Sequence, residues 1–147
     1  MSFTNLLYHI VYATKERAPL ISKFWRDDLH AYLGGAVRGM NGIALEVGGV
    51  ADHVHLLAKI PPTISLSDFM SKLKSSSSGW SKQRSNRPFG WQNHYAAFSV
   101  SESQVSGVRD YIQNQEEHHR GSSFEEEFKA LLRKHNIPFD DRYLWSR

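Results

Sequence analysis

Apolar and polar positions along the 147-residue chain mark out its elements in order. Leu6 to Ala13 is a run rich in Tyr, Ile and Val with no breaker, which predicts a strand. From Phe24 to Met40, apolar residues recur at Trp25, Leu29, Tyr32, Leu33, Ala36, Val37 and Met40. Those steps of three and four line one face of a helix, and Asn41-Gly42 supplies its stop. Ile43–Val47 and His53–Ile60 read as two strands around a Gly48-Gly49 turn, and Pro61-Pro62 ends the second. Ser65 with Asp68 begins another helix, with its stripe at Leu66, Phe69, Met70 and Leu73, and Ser75 to Pro88 reads as a polar helix end running into a loop. Tyr95–Val100 is a fourth strand, a third helix runs from about Glu102 to His119, and a fourth runs from Phe124 to His135 behind a Ser123/Glu126 cap. Phe139, Tyr143 and Trp145 are aromatic anchors in the tail.

The order β-α-β-β-α-β plus two helices predicts an α+β fold: a ferredoxin-like βαββαβ sheet with helices over one face and two C-terminal helices. Composition narrows this little. Hydrophobic residues at 40% and charged residues at 22% suit one globular domain spanning 1–147. The formal net charge of +3 is compatible with nucleic acid without requiring it. With no cysteine, a metal would have to sit on His, carboxylate, amide or water ligands. No stretch is long and apolar enough to span a bilayer, and Met1–Asn5 does not open a secretory signal, so the expected location is cytoplasmic.

Three constellations could carry chemistry. In His53-Val54-His55 both imidazoles leave the same face of a strand, so they could chelate one divalent ion if a third ligand arrived; alone, the spacing equally suits two polar residues on an exposed face. On the third helix Tyr111 and Gln115 lie one turn apart, as a nucleophile beside a metal ligand would, or as a tyrosine bonded to a surface amide. His118 and His119 follow on nearby faces and could assist the site or pack. The third constellation is Lys72, Lys74, Lys82, Arg84 and Arg87 with Trp80 and Trp91 interleaved. Cations alternating with stacking surfaces suit single-stranded nucleic acid, though solvated loop charge around core tryptophans has the same appearance.

Taken in order, these residues resemble the small tyrosine transposases of the HUH superfamily, the kind encoded by minimal bacterial insertion sequences and their REP-associated relatives. The resemblance runs through Asp52-His53-Val54-His55-Leu56-Leu57 and Pro61-Pro62, then Trp91-Gln92-Asn93-His94-Tyr95-Ala96-Ala97-Phe98-Ser99-Val100. It continues in Tyr111-Ile112 with Gln115, His118-His119-Arg120, Ser123-Phe124-Glu125-Glu126-Glu127-Phe128 and Tyr143-Leu144-Trp145. It implies His53, His55 and Gln115 as ligands of Mg²⁺ or Mn²⁺ and Tyr111 as the nucleophile. The expected partner is single-stranded DNA with hairpin ends. The expected assembly is a homodimer, in some members with the His pair of one subunit completing a site with the tyrosine of the other.

Such chemistry makes physical sense. A divalent ion on a non-bridging phosphate oxygen offsets charge that builds in the transition state, and neutral ligands leave that ion most of its charge. A phenol with a pKa near ~10 needs a nearby cation or base to attack. A 5′-phosphotyrosine keeps the bond energy, so a second 3′-hydroxyl can reverse the step without ATP. The same enzyme could instead be a domesticated nicking and joining enzyme on repeated palindromes. A non-catalytic nucleic-acid-binding module would have no use for the His53, His55, Tyr111 and Gln115 set, and a generic His-metal hydrolase is disfavoured because no acidic cluster accompanies the His pair in sequence.

Overall fold

The structure, a computed structural model, describes residues 2–145. Strands β1 (Leu7–Ala13), β2 (Ile43–Val50), β3 (His53–Lys59) and β4 (Ala96–Ser99) form one antiparallel sheet in the order β2-β3-β1-β4. With helices α1 (Arg26–Gly39) and α2 (Leu66–Lys82) as the two crossovers, this is the expected ferredoxin-like βαββαβ arrangement. Helices α3 (Val105–Gln113), α4 (Gln115–His118) and α5 (Phe124–Lys134) complete the chain.

Strand alternation divides the molecule into two packed layers. Ile10 and Tyr12 of β1 and Val54, Leu56 and Ala58 of β3 face α1 and α2, meeting Leu29, Leu33, Val37, Phe69, Met70 and Leu73. Each such side chain taken fully out of water contributes roughly 1.5–3 kcal/mol, so this layer is the main source of stability. On the opposite face Val11, Ala13, Ala96 and Phe98 pack against Phe124, Leu131 and Leu132 of α5. The second layer is smaller, and it also has His9, His53 and His55 buried within it.

Local sequence explains where the elements start and stop. Helix α1 ends in a Schellman motif: Asn41 takes a φ of 65°, its N–H donates to the Arg38 carbonyl and the Gly42 N–H donates to the Val37 carbonyl. Ser65 Oγ accepts from the Asp68 N–H to start α2, and Ser123 and Glu126 form a full capping box at α5.

Three expectations are corrected. Gly48 and Gly49 belong to β2, and the hairpin turns at Ala51-Asp52, since Val50 pairs with His53. A Cβ at Gly48 would lie 2.5 Å from the Ile112 carbonyl oxygen, so the glycine is there to let α3 lie directly on the strand. The serine run is, as expected, the end of helix α2, which continues to Lys82 before the loop; Ser77 and Ser81 face the interior and Ser77 Oγ donates back to the Leu73 carbonyl at 2.7 Å. The third helix breaks at Asn114, where φ −102° and ψ 24° separate α3 from α4 and swing Gln115 inward. Tyr143 is 64% exposed, so it does not anchor the tail; Trp145 does, through contacts with Phe124 and Phe128.

Candidate active site

The site lies on the α5 face of the sheet. β3 is an interior strand, so His53 and His55 leave it side by side beneath the C-terminal helices, each with 0% exposure. Neither is a polar residue on an open face. Imidazoles buried this deeply are costly unless their nitrogens are satisfied, and each ring has a partner on the side away from the centre. His53 Nδ1–H donates to Asp52 Oδ1 at 2.7 Å, His119 Nδ1–H donates to the Ser122 carbonyl at 2.7 Å, and His55 Nδ1 shares a 2.8 Å hydrogen bond with His9 Nε2. Phe124 stacks on His53 at 4.0 Å and fixes the ring plane.

The opposite nitrogens converge. His53, His55 and His119 present Nε2 to a single oxygen, Glu127 Oε1, at 3.3, 3.3 and 2.9 Å. Gln115 Oε1 lies 3.0 Å from His53 Nε2 and 3.1 Å from His119 Nε2. The Gln115 amide nitrogen donates to Glu127 Oε2 at 3.0 Å, which sets the amide orientation. Tyr111 also donates its hydroxyl to Glu127 Oε2, and His118 Nε2 stands 3.6 Å from that oxygen while remaining 37% exposed on its side chain. All these groups come from one chain.

Electrostatics follow the packing. Burial works to raise the Glu127 carboxyl, but hydrogen bonds from His53 and His55 and from Tyr111 overcome it and hold the group far below the usual carboxylate range. His53 shifts the other way from its burial: desolvation favours the neutral ring, yet Asp52, Glu127 and Gln115 together push it up to about 9. His55 is driven down to about 4 and His9 to about 3, in both cases chiefly by burial. Burial and the Glu127 carboxylate raise the Tyr111 phenol above its ordinary value, so the hydroxyl is neutral at rest.

The donors suit a divalent ion. His53, His119 and Glu127 offer ligand atoms within 4.8 Å of one another. Ligands about 2.1 Å from an octahedral ion sit about 3.0 Å apart along an edge of the octahedron, and the separations above run from 2.9 to 3.3 Å. Each ring also donates or shares its second nitrogen with an oxygen or another ring, the usual support for a metal-bound histidine. The sequence-predicted residues Tyr111, His53, His55 and Gln115 are thus brought together with His119 and His118. His9, Asp52 and Glu127 were missed; Asp52 adjoins His53 in sequence and could have been read there, whereas nothing in the spacing of His9 and Glu127, 46 and 72 residues from His55, links them to that ring. The expectation that no acidic cluster accompanies the His pair is corrected in space, where Asp52 and Glu127 both contact His53.

The basic set is placed elsewhere. Lys72 and Lys82 are exposed on α2, Arg84 and Arg87 are exposed beyond it, and α2 covers the sheet face opposite Tyr111. Lys74 is half-buried and donates to the Gln92 and His94 carbonyls, and Trp80 is stacked on Tyr32 at 5.2 Å with Arg84 at 3.8 Å. Trp91 is a core residue whose indole donates to Ser77 Oγ. A groove of about 450 Å³ runs between α2 and the 91–95 segment, lined with Ser67, Ser71, Lys74, Ser75, Ser78 and Asn93 among others.

Comparison with known proteins gives a consistent picture. Residues 2–115 match the family described as "Transposase IS200 like". The transposase for insertion sequence element IS200 from Salmonella typhimurium strain LT2 is 33% identical over 119 residues, covering 76% of this chain and 77% of that one. Among solved structures, a crystal structure of a Deinococcus radiodurans R1 chain assigned as a transposase superposes with a TM-score of 0.64 at 26% identity, covering 78% of this chain and 93% of that one. A REP-associated tyrosine transposase bound to a REP hairpin shares the fold, with a TM-score of 0.61 at 11% identity over 81% of this chain and 72% of that one.

Proposed function

This chain belongs to the IS200-like transposase family, and from that premise we propose that it cuts and rejoins single-stranded DNA with Tyr111 as nucleophile. The observation that carries the reading is the meeting of Tyr111 with buried His53, His55 and Gln115 around one focus within a single chain. His53, His55 and Gln115 would hold a divalent ion, Mg²⁺ or Mn²⁺. When bound, that ion supplies positive charge that offsets the scissile phosphate and favours loss of the phenol proton.

Every other part falls to the chain itself. Glu127 holds the Tyr111 hydroxyl in place through one oxygen, while the Asp52, Ser122 and His9 contacts fix the rings so that nothing must reorganise during attack. Tyr111 Oη forms a bond to phosphorus as its proton is lost to water. The P–O3′ bond breaks, the 3′-oxygen takes a proton from water, and the 5′-phosphate stays on the tyrosine. A new 3′-hydroxyl reverses the same step. A homodimer of the kind the family implies would carry two such sites.

Exposed Lys72, Lys82, Arg84 and Arg87 would track the DNA backbone, with Lys74 and Trp80 shaping that surface from within. The hydroxyl-lined groove beside α2 suits phosphate contacts. Hairpin ends are the natural substrate in this reading, as the similarly folded REP-associated transposase is bound to a REP hairpin. The decisive experiment incubates purified protein with labelled single-stranded DNA from the ends flanking its gene and Mn²⁺ or Mg²⁺, followed by a denaturing protein gel. A metal-dependent covalent band that vanishes in Tyr111→Phe is expected. Tight hairpin binding with no band from the wild type would overturn the nuclease reading.

A further inference from the structure

We propose that Glu127 is itself a ligand of the divalent ion, so that helix α5 closes the metal site with a carboxylate. The proposal rests on the metal-dependent reading above and deepens it. Glu127 lies beyond the segment that matches the family, which ends at residue 115, and no spacing rule ties it to the His pair.

The argument is one of donors and acceptors. His119 Nδ1 faces only the Ser122 carbonyl oxygen, so the proton of a neutral ring must sit there, leaving a lone pair on Nε2. Asp52 fixes His53 in the same way. Gln115 donates through its amide nitrogen to Glu127 Oε2, leaving its oxygen pointing inward. Beside His55 Nε2, which lies 3.3 Å from Glu127 Oε1, four acceptors therefore converge: His53 Nε2, His119 Nε2, Gln115 Oε1 and Glu127 Oε1, with separations of 2.9 to 3.3 Å. Acceptors crowded this closely, with Glu127 only 3% exposed, repel one another unless a cation lies among them. An extra proton on a ring can serve in the metal-free protein. A divalent ion serves all four at once.

The second oxygen of Glu127 gives the arrangement its purpose. Oε1 faces the imidazoles while Oε2 accepts from Tyr111, so one carboxylate ties the nucleophile to the ion. The capping box then acquires a functional role, since Ser123 and Glu126 fix the turn of α5 from which Glu127 projects.

The test is calorimetric titration of Mn²⁺ into metal-stripped full-length protein without DNA, comparing wild type, His53→Ala, Glu127→Gln and Glu127→Asp. The expected result is Mn²⁺ affinity at least about tenfold weaker in Glu127→Gln, comparable to or beyond the loss of an outer-shell partner, with a smaller loss in Glu127→Asp, which keeps the charge and shortens the reach. If His53→Ala weakens binding while both Glu127 variants bind like wild type, the carboxylate only neutralises the histidines and the proposal falls, with the metal reading intact. If the wild type binds no Mn²⁺, both fall together. Should Glu127→Gln fail to fold, Glu127→Asp decides alone: wild-type affinity there overturns the proposal.

Discussion

At the scale of single residues, position in the sheet converts ordinary side chains into site components. His53 and His55 owe their shared direction to strand alternation, but their complete burial comes from the interior place of β3 between β2 and β1. His53→Ala is expected to lower metal-dependent cleavage by at least about 100-fold, the upper end of what even an outer-shell loss costs, while hairpin binding in a gel-shift assay stays near wild type. Loss of both would make the histidine structural. Asp52 acts through His53, fixing its tautomer. Asp52→Ala should therefore weaken Mn²⁺ binding about 10- to 100-fold, read by calorimetry, and an unchanged affinity would show that the ring is held without it.

Helix α3 shows how an element carries its chemistry to the sheet. It lies on β2 only because Gly48 has no side chain, and the break at Asn114 then turns Gln115 inward beneath Tyr111. Gly48→Ala would force α3 away from the strand and cost about 1–3 kcal/mol as an overpacked contact. That corresponds to a fall in Tm of roughly 2–12 °C for a chain of this size, and the covalent DNA adduct should drop further than the loss of folded protein explains. A melt matching wild type would mean that α3 is not seated on Gly48. At α5 the capping box stabilises the element that holds Glu127. Ser123→Ala should cost about 1 kcal/mol, seen as a Tm lower by about 2–4 °C.

For the molecule as a whole, the two faces of the sheet divide the labour: α1 and α2 supply a dry core, while α3, α4 and α5 enclose a polar cluster. That cluster makes the metal-free protein sensitive to acid, and a half-buried histidine outside it, His30, contributes as well. Burial holds His30 at about 4 against an ordinary 6.5, opposed by Asp27 and assisted by Arg26. The unfolded chain takes up that proton first as the pH falls, so stability is present above 6.5 and is lost as the pH drops through 6.5 towards 4. His9 and His55 act in the same direction, whereas the raised His53 contributes stability below 6.5 that disappears as the pH rises through about 9. In EDTA, urea midpoints should fall between pH 6.5 and 4, and His30→Asn should flatten part of that fall; an identical slope in the variant would remove His30 from the account. Local pattern determined the order of strands and helices and the caps at Ser65, Asn41 and Ser123, because periodicity and capping are properties of residues a few positions apart, while His53, His55, Tyr111 and Gln115 stood out only through the family resemblance of the motifs that carry them. Tertiary structure alone decided that Glu127, His119 and His9 join them, that the glycine pair lies in a strand, and that Lys74 and Trp80 are engaged within the fold. Those are contacts across the sheet and between helices, set by how two layers pack, and no local spacing encodes them.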